Sequence, residues 1–328
     1  MTSAAHGSDV VPLTGSRATR RAESLFRAAT LVAGILVFVI LGAIAAFLIA
    51  KALPALRQDE ASFWTTKTWT PNGTKPVFGI AALLFGTVLS SALALVMAVP
   101  VAIGVALYIT QYAPRRFATW LGYLTDMLAA VPSVVYGLWG IFFLLPHLVG
   151  LQVFLNHYVG WFPLFAGDAG EVNVYSKSIL AAPVVLAIMI LPIVAAISRE
   201  VLRQVDPAQK EAALALGATR WEMIRTAVLP PSRPGILGGV MLGLGRALGE
   251  TIAVALVIGN VFSTSFKILP PGGNTIAANI ANKFGESGDV GRSALIASGL
   301  ILFALTLAVN LVARWVIYRS GTAERAAM

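Results

Sequence analysis

A polar loop of 38 residues, SREVLRQVDPAQKEAALALGATRWEMIRTAVLPPSRPG (198–235), lies between two apolar blocks. The block that leads into it, residues 178–198, has no charged residue and has the length of a helix that crosses a hydrocarbon core of about 30 Å. Uncharged blocks of similar length occupy residues 31–50 and 293–313. The sequence therefore predicts a chain that spans a membrane several times and exposes the loop on one face.

The composition also indicates a membrane protein. The 328 residues are 57% hydrophobic and 12% charged, with a mean hydropathy of +0.80. Soluble globular chains carry about 25% charged residues, so a soluble enzyme, a fibrous protein or a disordered chain is not expected. The absence of cysteine excludes disulfides and thiolate sites, and the histidines (6, 147 and 157) form no i,i+4 metal-binding pair.

The hydropathy pattern predicts six spans: 31–50, 79–108, 121–146, 179–197, 236–260 and 293–313. Residues 147–167 contain His147, Gln152, Asn156 and His157 and are expected to form an interfacial segment. If the N-terminus lies inside, the inner segments carry 15 Lys and Arg, and outer segments of nearly equal total length carry 8. The positive-inside rule then places both termini and the 198–235 loop in the cytoplasm.

The local signals in the loop predict two short helices. Asp206 is a good N-cap and Pro207 suits the first helical position, so a helix should run to Leu216 and stop at Gly217. Thr219 and Glu222 have the spacing of a capping box that opens a second helix. We expect Leu229-Pro230-Pro231 to end it.

The fifth predicted span, residues 236–260, contains an opposite-charge pair, Arg246 and Glu250. A charge at the bilayer centre costs at least about 2.5–3.5 kcal/mol, so both side chains should face a water-filled path or a partner subunit. Their i,i+4 spacing predicts one helix face, and the glycine pairs 239/243 and 245/249 would let another helix approach closely.

Two interpretations of this pair stay open: a structural ion pair that joins two helices, or the lining of a pathway. In the second, Arg246 would replace the hydration of a crossing anion, and Glu250 would keep that anion from binding too tightly. Asp126, near the start of the third predicted span, is interpreted as a helix cap or anchor, with a pathway role as the alternative.

The loop resembles the EAA loop of ABC importer permeases, E-A-A-x3-G-x9-I-x-L-P, through Glu211-Ala212-Ala213, Gly217 and Leu229-Pro230. Ala227 departs from the pattern, because that family usually has Ile there. In the family this loop docks into a cleft of a cytoplasmic ATPase, which implies ATPase coupling for Glu211, Ala212, Ala213 and Gly217. The chain has no G-x-x-x-x-G-K-[ST] motif, so it is not expected to be an enzyme, and ATP and Mg would bind to the partner ATPase.

Two further stretches resemble the phosphate-specific importer permeases, and within them the C-type subunit. DMLAAVPSVVYGLWG (126–140) is similar to their A-x-P-S-[IV]-V-Y-G-x-x-G segment, with Asp126 where Glu is expected. GRALGET (245–251) is similar to their R-A-[LI]-G-E-T segment. The resemblance implies that Arg246 and Glu250 take part in phosphate translocation.

The resemblance implies an all-α transmembrane fold, in which a five-helix type I importer core follows an N-terminal helix. The expected organisation is a cytoplasmic tail (1–29), a first helix with an extracytoplasmic loop (30–74), a permease domain (75–320) with its coupling loop at 206–231, and a tail (321–328). The implied setting is the bacterial inner membrane with its lipid. The implied partners are an A-type permease subunit, an ATPase dimer and an extracytoplasmic phosphate-binding protein, with no nucleic acid.

Other classes of transporter stay open at this stage. A permease for sulfate, molybdate or phosphonate differs from a phosphate permease only in the two short motifs. A secondary transporter driven by an ion gradient would predict inverted repeats and paired discontinuous helices, and neither is visible in the sequence. A membrane-embedded enzyme would need a metal motif or a nucleophile elbow, and none occurs.

Overall fold

The computed structural model describes residues 17–72, 75–166 and 177–325, so parts of the predicted N-terminal tail, of the loop 147–178 and of the C-terminal tail lie outside the described residues. The chain divides into two compact units, residues 1–50 and 51–328. The helices are α1 (Arg17–Gln58), α2 (Ala81–Leu107), α3 (Arg115–Ala129), α4 (Ser133–Trp139), α5 (Leu145–Val159), α6 (Ala181–Arg203), α7 (Pro207–Ala215), α8 (Arg220–Met223), α9 (Leu229–Gly249), α10 (Ile252–Val257), α11 (Ile276–Lys283) and α12 (Asp289–Arg325). The described strands are β1 (Trp69–Thr70) and β2 (Val77–Phe78), which pair antiparallel.

Within the described residues, five helical stretches are long and apolar enough to cross a membrane. They are Glu23–Gln58, Ala81–Tyr112, Ser133–Val159, Ala181–Arg203 and Asp289–Trp315. Two of them include a π-helical segment of five residues, Tyr108–Tyr112 after α2 and Gly140–Leu144 between α4 and α5. The predicted all-α transmembrane architecture is confirmed, with two corrections to individual spans.

The third span lies about twelve residues further along the chain than predicted. The helix α3 ends at Ala129, and a new helix begins after Pro132, because proline cannot donate to the preceding turn and disfavours helical geometry at the residue before it. Residues 147–159 then continue this helix instead of forming a separate interfacial segment. Two of its polar side chains bond within the protein: Gln152 Nε2 donates to Ser178 Oγ at 2.7 Å, and His147 Nδ1 lies 2.7 Å from the Phe143 carbonyl oxygen.

The fifth predicted span is not a continuous helix. The backbone of Glu250 is extended (φ −68°, ψ 126°), so α9 ends at Gly249 and α10 begins at Ile252. The prediction that Arg246 and Glu250 share one helix face is therefore wrong, because Glu250 lies outside α9.

The helix α6 forms the centre of the unit 51–328 and packs against both α2 and α9. Along α2 a row of buried alanines at four-residue spacing, Ala94, Ala98, Ala102 and Ala106, permits close packing. Along α9, Gly239 and Gly243 do the same: a Cβ added at either would lie 2.9 Å from Ile197 Cγ2 or Val194 Cγ2 of α6. The predicted role of the 239/243 glycine pair in close helix approach is confirmed within the chain.

Helix ends that were predicted to be cytoplasmic meet in one buried cluster. It comprises Ala106, Leu202, Val205, Met223, Ile224, Val228 and Ile236. At the other end a second cluster joins the β1–β2 hairpin to α2, α11 and α12. It includes Phe63, Phe78, Ile80, Leu83, Ile276 and Ala294. The helix ends predicted to be cytoplasmic therefore pack in one cluster, and those predicted to be extracytoplasmic pack in another.

Candidate functional site

Arg246 occupies the last turn of α9, and its side chain is exposed. Among the residues that the structure describes, no carboxylate oxygen lies within 4.0 Å of its guanidinium. The neighbouring glycines 245 and 249 have open space where a side chain would begin. A cation without a carboxylate partner, at the edge of open space, is available to bind an anion.

The carboxylate of Glu250 forms a backbone hydrogen bond in place of the predicted ion pair with Arg246. Its Oε1 accepts a hydrogen bond from the Ala253 backbone N–H at 3.2 Å, in the first turn of α10. A carboxylate at this place satisfies a helix N-terminus that would otherwise have a free donor. Glu250 therefore stabilises the break between the two helices while its side chain stays only half-buried.

The two short sequence motifs meet in space, although more than 100 residues separate them. The helix α4 and the π-helical segment after it pack on α10 through glycines: a Cβ added at Gly137 would lie 2.9 Å from Ala253 Cα, and one at Gly140 would lie 2.6 Å from Val257 Cγ1. The second motif reaches this contact through Glu250, whose Oε1 accepts from the N–H of the same Ala253 at 3.2 Å. Tyr136 donates to the Leu128 carbonyl at 2.8 Å, which fixes α4 against the end of α3.

Asp126 lies within α3 and forms an ion pair with Arg199, a residue outside the motifs found in the sequence. Arg199 Nη2 lies 3.0 Å from Asp126 Oδ1 and 3.1 Å from Oδ2, and Arg199 Nη1 donates to Thr125 Oγ1 at 3.2 Å. Of the three roles expected for Asp126, the ion pair fits an anchor, which holds α3 to α6. Asp126 does not cap a helix. The available signal was that Arg199 directly follows an uncharged block and therefore lies at a membrane boundary.

The first part of the loop 206–231, up to the start of α8, folds as its local signals predicted. Asp206 Oδ1 accepts from the Ala208 N–H at 2.9 Å and caps α7. Gly217 has φ +86°, a conformation that glycine adopts without the cost of a Cβ clash. Glu211 and Ala212 are exposed, while Ala213 packs against the buried cluster at this end. The Leu216 side chain is 89% exposed, so the loop presents an apolar group outward.

The predicted capping box of α8 is present. Thr219 Oγ1 accepts from the Glu222 N–H at 3.3 Å, and the Thr219 N–H and hydroxyl both donate to Glu222 Oε2 at 2.8 Å. These bonds favour the ionised carboxylate, and they hold the pKa of Glu222 below its ordinary value, the backbone N–H contributing most.

The expected end of the second short helix at Leu229-Pro230-Pro231 is wrong. A π-helical segment, Ile224–Val228, joins α8 directly to α9. The wider turn precedes prolines that have no N–H for the helix ladder, and these prolines lie in the first turn of α9, where a missing donor is tolerated.

The described residues offer no site for a bound metal: within 17–72, 75–166 and 177–325, no three His, Asp or Glu side chains group closely enough to hold an ion. The arrangement instead combines an anion-accessible arginine with an exposed loop at one end of the bundle. Such a pair suits passage of an anion and contact with another protein.

Comparison with known proteins agrees with this arrangement. The sequence profile of the family described as binding-protein-dependent transport system inner membrane component matches residues 98–320. The chain is 46% identical to the phosphate transport system permease protein PstC 2 of Mycobacterium tuberculosis, over 91% of this chain and 92% of that protein. It is 46% identical to PstC of Mycobacterium leprae (92% and 94% covered) and 42% identical to PstC of Mesorhizobium japonicum (90% and 90%).

Solved structures show the same fold at low identity. An ABC transporter involved in the import of the polysaccharide alginate superposes with a TM-score of 0.53 at 18% identity, over 90% of this chain and 98% of that chain. The methionine ABC transporter MetNI, in an inward-facing conformation, gives a TM-score of 0.52 at 14% identity, with 73% and 96% covered.

Proposed function

The chain belongs to the family of binding-protein-dependent transport system inner membrane components, and we propose that it is the permease subunit of an ATP-driven importer of inorganic phosphate. The names of relatives at 42–46% identity over nine-tenths of the chain support phosphate as the substrate. The structural observation that carries the proposal is the exposed Arg246, which has no carboxylate partner among the described residues and stands where the two motif segments meet.

Arg246 would bind the phosphate during its passage. Its planar fork of donors matches two oxygens of a phosphate, and its charge replaces hydration that the anion loses inside the protein. Glu250 would supply a nearby negative charge, so that the anion can also leave. Because Glu250 caps α10 instead of pairing with Arg246, the arginine stays free to bind a ligand.

The exposed face of the loop 206–231 would bind a separate ATPase. Glu211, Ala212 and Leu216 are exposed there, and the positive φ of Gly217 fixes the turn that follows. ATP and Mg would be held by that partner, since this chain has no phosphate-binding loop of its own. Closure of the ATPases would move the coupling loop and reorient the bundle between its two faces.

The remaining assignments complete the importer. The chain would lie in the bacterial inner membrane with both termini cytoplasmic, in accordance with the excess of Lys and Arg on the predicted inner side. It would pair with an A-type permease subunit, an ATPase dimer and an extracytoplasmic phosphate-binding protein. The open space beside glycines 245 and 249 leaves room there for a second permease subunit.

The proposal is tested by uptake of radiolabelled phosphate into cells that lack this chain, with and without its return. We expect the returned chain to restore uptake, and a large excess of sulfate to leave that uptake unchanged. Restored uptake that sulfate suppresses would instead assign the permease to a broader or different oxyanion. No restoration, with the partner subunits present, would contradict the phosphate assignment.

A further inference from the structure

The guanidinium of Arg199 joins α6 to α3 through an ion pair of two short contacts. Arg199 Nη2 lies 3.0 and 3.1 Å from the two carboxylate oxygens of Asp126. The Arg199 side chain is only 12% exposed, whereas the Asp126 side chain is 50% exposed. The other two described ion pairs, Glu60–Lys75 and Lys283–Glu286, are longer and lie between groups that are more exposed.

The surface of α3 is shaped around this guanidinium. Gly122, Thr125 and Asp126 share one face of α3, at i, i+3 and i+4. A Cβ added at Gly122 would lie 2.7 Å from Arg199 Nη1, so a residue with a side chain there would displace the guanidinium. Thr125 Oγ1 accepts from the same Nη1 atom at 3.2 Å.

The pair lies on the route between the coupling loop and the anion site. On one side, α6 ends at Arg203, four residues after Arg199, and Asp206 begins the loop. On the other side, α3 ends at Ala129 and is tied to α4 by the hydrogen bond from the Tyr136 hydroxyl to the Leu128 carbonyl. The helix α4 in turn packs on α10, whose N-terminus Glu250 caps.

We propose that Arg199 is a positioning residue that makes α3 move with the inner end of α6, so that movement of the coupling loop reaches the helices around Arg246. This inference rests on the proposed importer function. Without the pair, α3 would keep its hydrogen bond to Tyr136 of α4 but would be held against α6 mainly by packing contacts, and motion of α6 would be transmitted incompletely. ATP hydrolysis would then continue while fewer phosphate ions cross per ATP.

The two members of the pair are not equivalent, and the variants use this difference. Arg199→Gln leaves Asp126 without its partner but half-exposed to solvent, so the unpaired carboxylate is hydrated. Asp126→Asn leaves a largely buried guanidinium without its counter-ion, which is the more disruptive change. Arg199→Lys keeps the charge and loses the planar fork.

The experiment measures phosphate transported per ATP hydrolysed in proteoliposomes that contain the full importer and its binding protein. We expect Arg199→Gln to keep ATPase activity within twofold of wild type and to lower phosphate per ATP at least fivefold, with Arg199→Lys in between. Lys75→Gln, which breaks the exposed Glu60–Lys75 pair (3.3 Å), is the matched control and should leave the ratio unchanged.

Several results would overturn the inference. An unchanged ratio in Arg199→Gln would do so, and so would an equal fall in Lys75→Gln. A loss of transport and ATPase activity only in proportion to the amount of assembled complex would show a role in stability alone. If Arg199→Gln does not assemble, the ratio in Arg199→Lys decides on the same criteria. Wild-type uptake tests the phosphate assignment separately, and if another oxyanion is transported the ratio is measured with that anion.

Discussion

Glu250 leaves Arg246, four residues before it, free to bind a ligand, because its carboxylate bonds elsewhere. Their spacing favours an ion pair, but the carboxylate is used by the Ala253 N–H, and the arginine has no carboxylate within 4.0 Å in the described part of the chain. The chain thus keeps an available cation in a segment whose other charged residue, Glu250, is bonded to the backbone. Such a cation is costly in a membrane unless a ligand or water reaches it.

Replacing Arg246 tests whether this cation binds the transported anion. Arg246→Ala should lower phosphate uptake at least tenfold, equivalent to about 1.4 kcal/mol, because Arg199, the other described cation at the two motif segments, is already paired with Asp126. The amount of complex in the membrane should stay unchanged, since Arg246 is exposed and makes no ion pair there. Arg292→Ala, at an arginine that contacts the Phe284 ring, is the control and should transport normally. Equal uptake by wild type and Arg246→Ala would return Arg246 to a structural role.

Two substitutions at Glu250 separate its capping role from its charge. Glu250→Gln keeps an oxygen that can accept from the Ala253 N–H, whereas Glu250→Ala loses both the acceptor and the charge. Loss of a helix cap costs about 1 kcal/mol, so only the Ala variant should unfold at a lower temperature. Both should transport phosphate more slowly if the negative charge promotes release. Wild-type transport by Glu250→Gln would limit Glu250 to capping.

At the scale of the element, the coupling loop depends on one backbone conformation. Gly217 has φ +86° with no atom within 4 Å of an added Cβ, so any effect of a substitution comes from the backbone and not from a clash. Gly217→Val should cost about 1–2 kcal/mol in this conformation and release or uncouple the ATPase. Asn tolerates positive φ, so Gly217→Asn is the matched control. Retention of the ATPase is measured by co-purification, and normal retention and transport in Gly217→Val would show that the turn is misplaced.

The capping box of α8 should respond to pH with a definite sign. The Thr219 N–H and hydroxyl hold the pKa of Glu222 below its ordinary value, so the cap contributes fully above the unfolded pKa and is lost as the pH falls through the lowered folded pKa. Hydrogen-exchange protection of the Thr219 amide, corrected for the intrinsic rate, should therefore fall from pH 7 to pH 3 in wild type. It should be low at both values in Glu222→Ala, which removes the acceptor, and independent of pH in Glu222→Gln, which keeps an oxygen that does not titrate.

The Ala278 amide is the control for that measurement, because it donates to the Thr275 hydroxyl at 3.2 Å and this acceptor does not titrate in the same range. Its protection should stay constant over the interval. A Thr219 amide whose protection does not change between pH 7 and pH 3 would mean that the capping bond is not formed in the membrane-embedded protein.

At the scale of the whole molecule, local signals were enough wherever a few neighbouring residues control the backbone. Asp206, Gly217 and the Thr219–Glu222 box all fold as predicted. Length and hydropathy likewise predict the spans within Glu23–Gln58, Ala81–Tyr112, Ala181–Arg203 and Asp289–Trp315. These features amount to the architecture of the chain and the shape of its coupling loop.

Features that depend on tertiary contacts were not accessible from the sequence. The third span begins after the break at Pro132, and it continues to Val159 with Gln152 inside the helix, where Nε2 donates to Ser178 Oγ, 26 residues away. Likewise Asp126 pairs with Arg199, 73 residues away; the sequence places Arg199 at a membrane boundary but does not say which residue it contacts. The break at Glu250 was missed because an i,i+4 spacing suggests helix continuity, whereas here the carboxylate caps a new helix.

The orientation of the molecule in the membrane decides whether the loop 206–231 can reach an ATPase in the cytoplasm. This orientation can be tested directly in this chain. It contains no cysteine, so a single introduced thiol is the only labelling site. Lys75→Cys, near the β1–β2 hairpin, should react with a membrane-impermeant maleimide in intact spheroplasts. Arg115→Cys, at the start of α3, should react only after permeabilisation. The opposite pattern would place Glu211 and the coupling loop outside the cell, away from any ATP, and would contradict ATP-driven import independently of the transported anion.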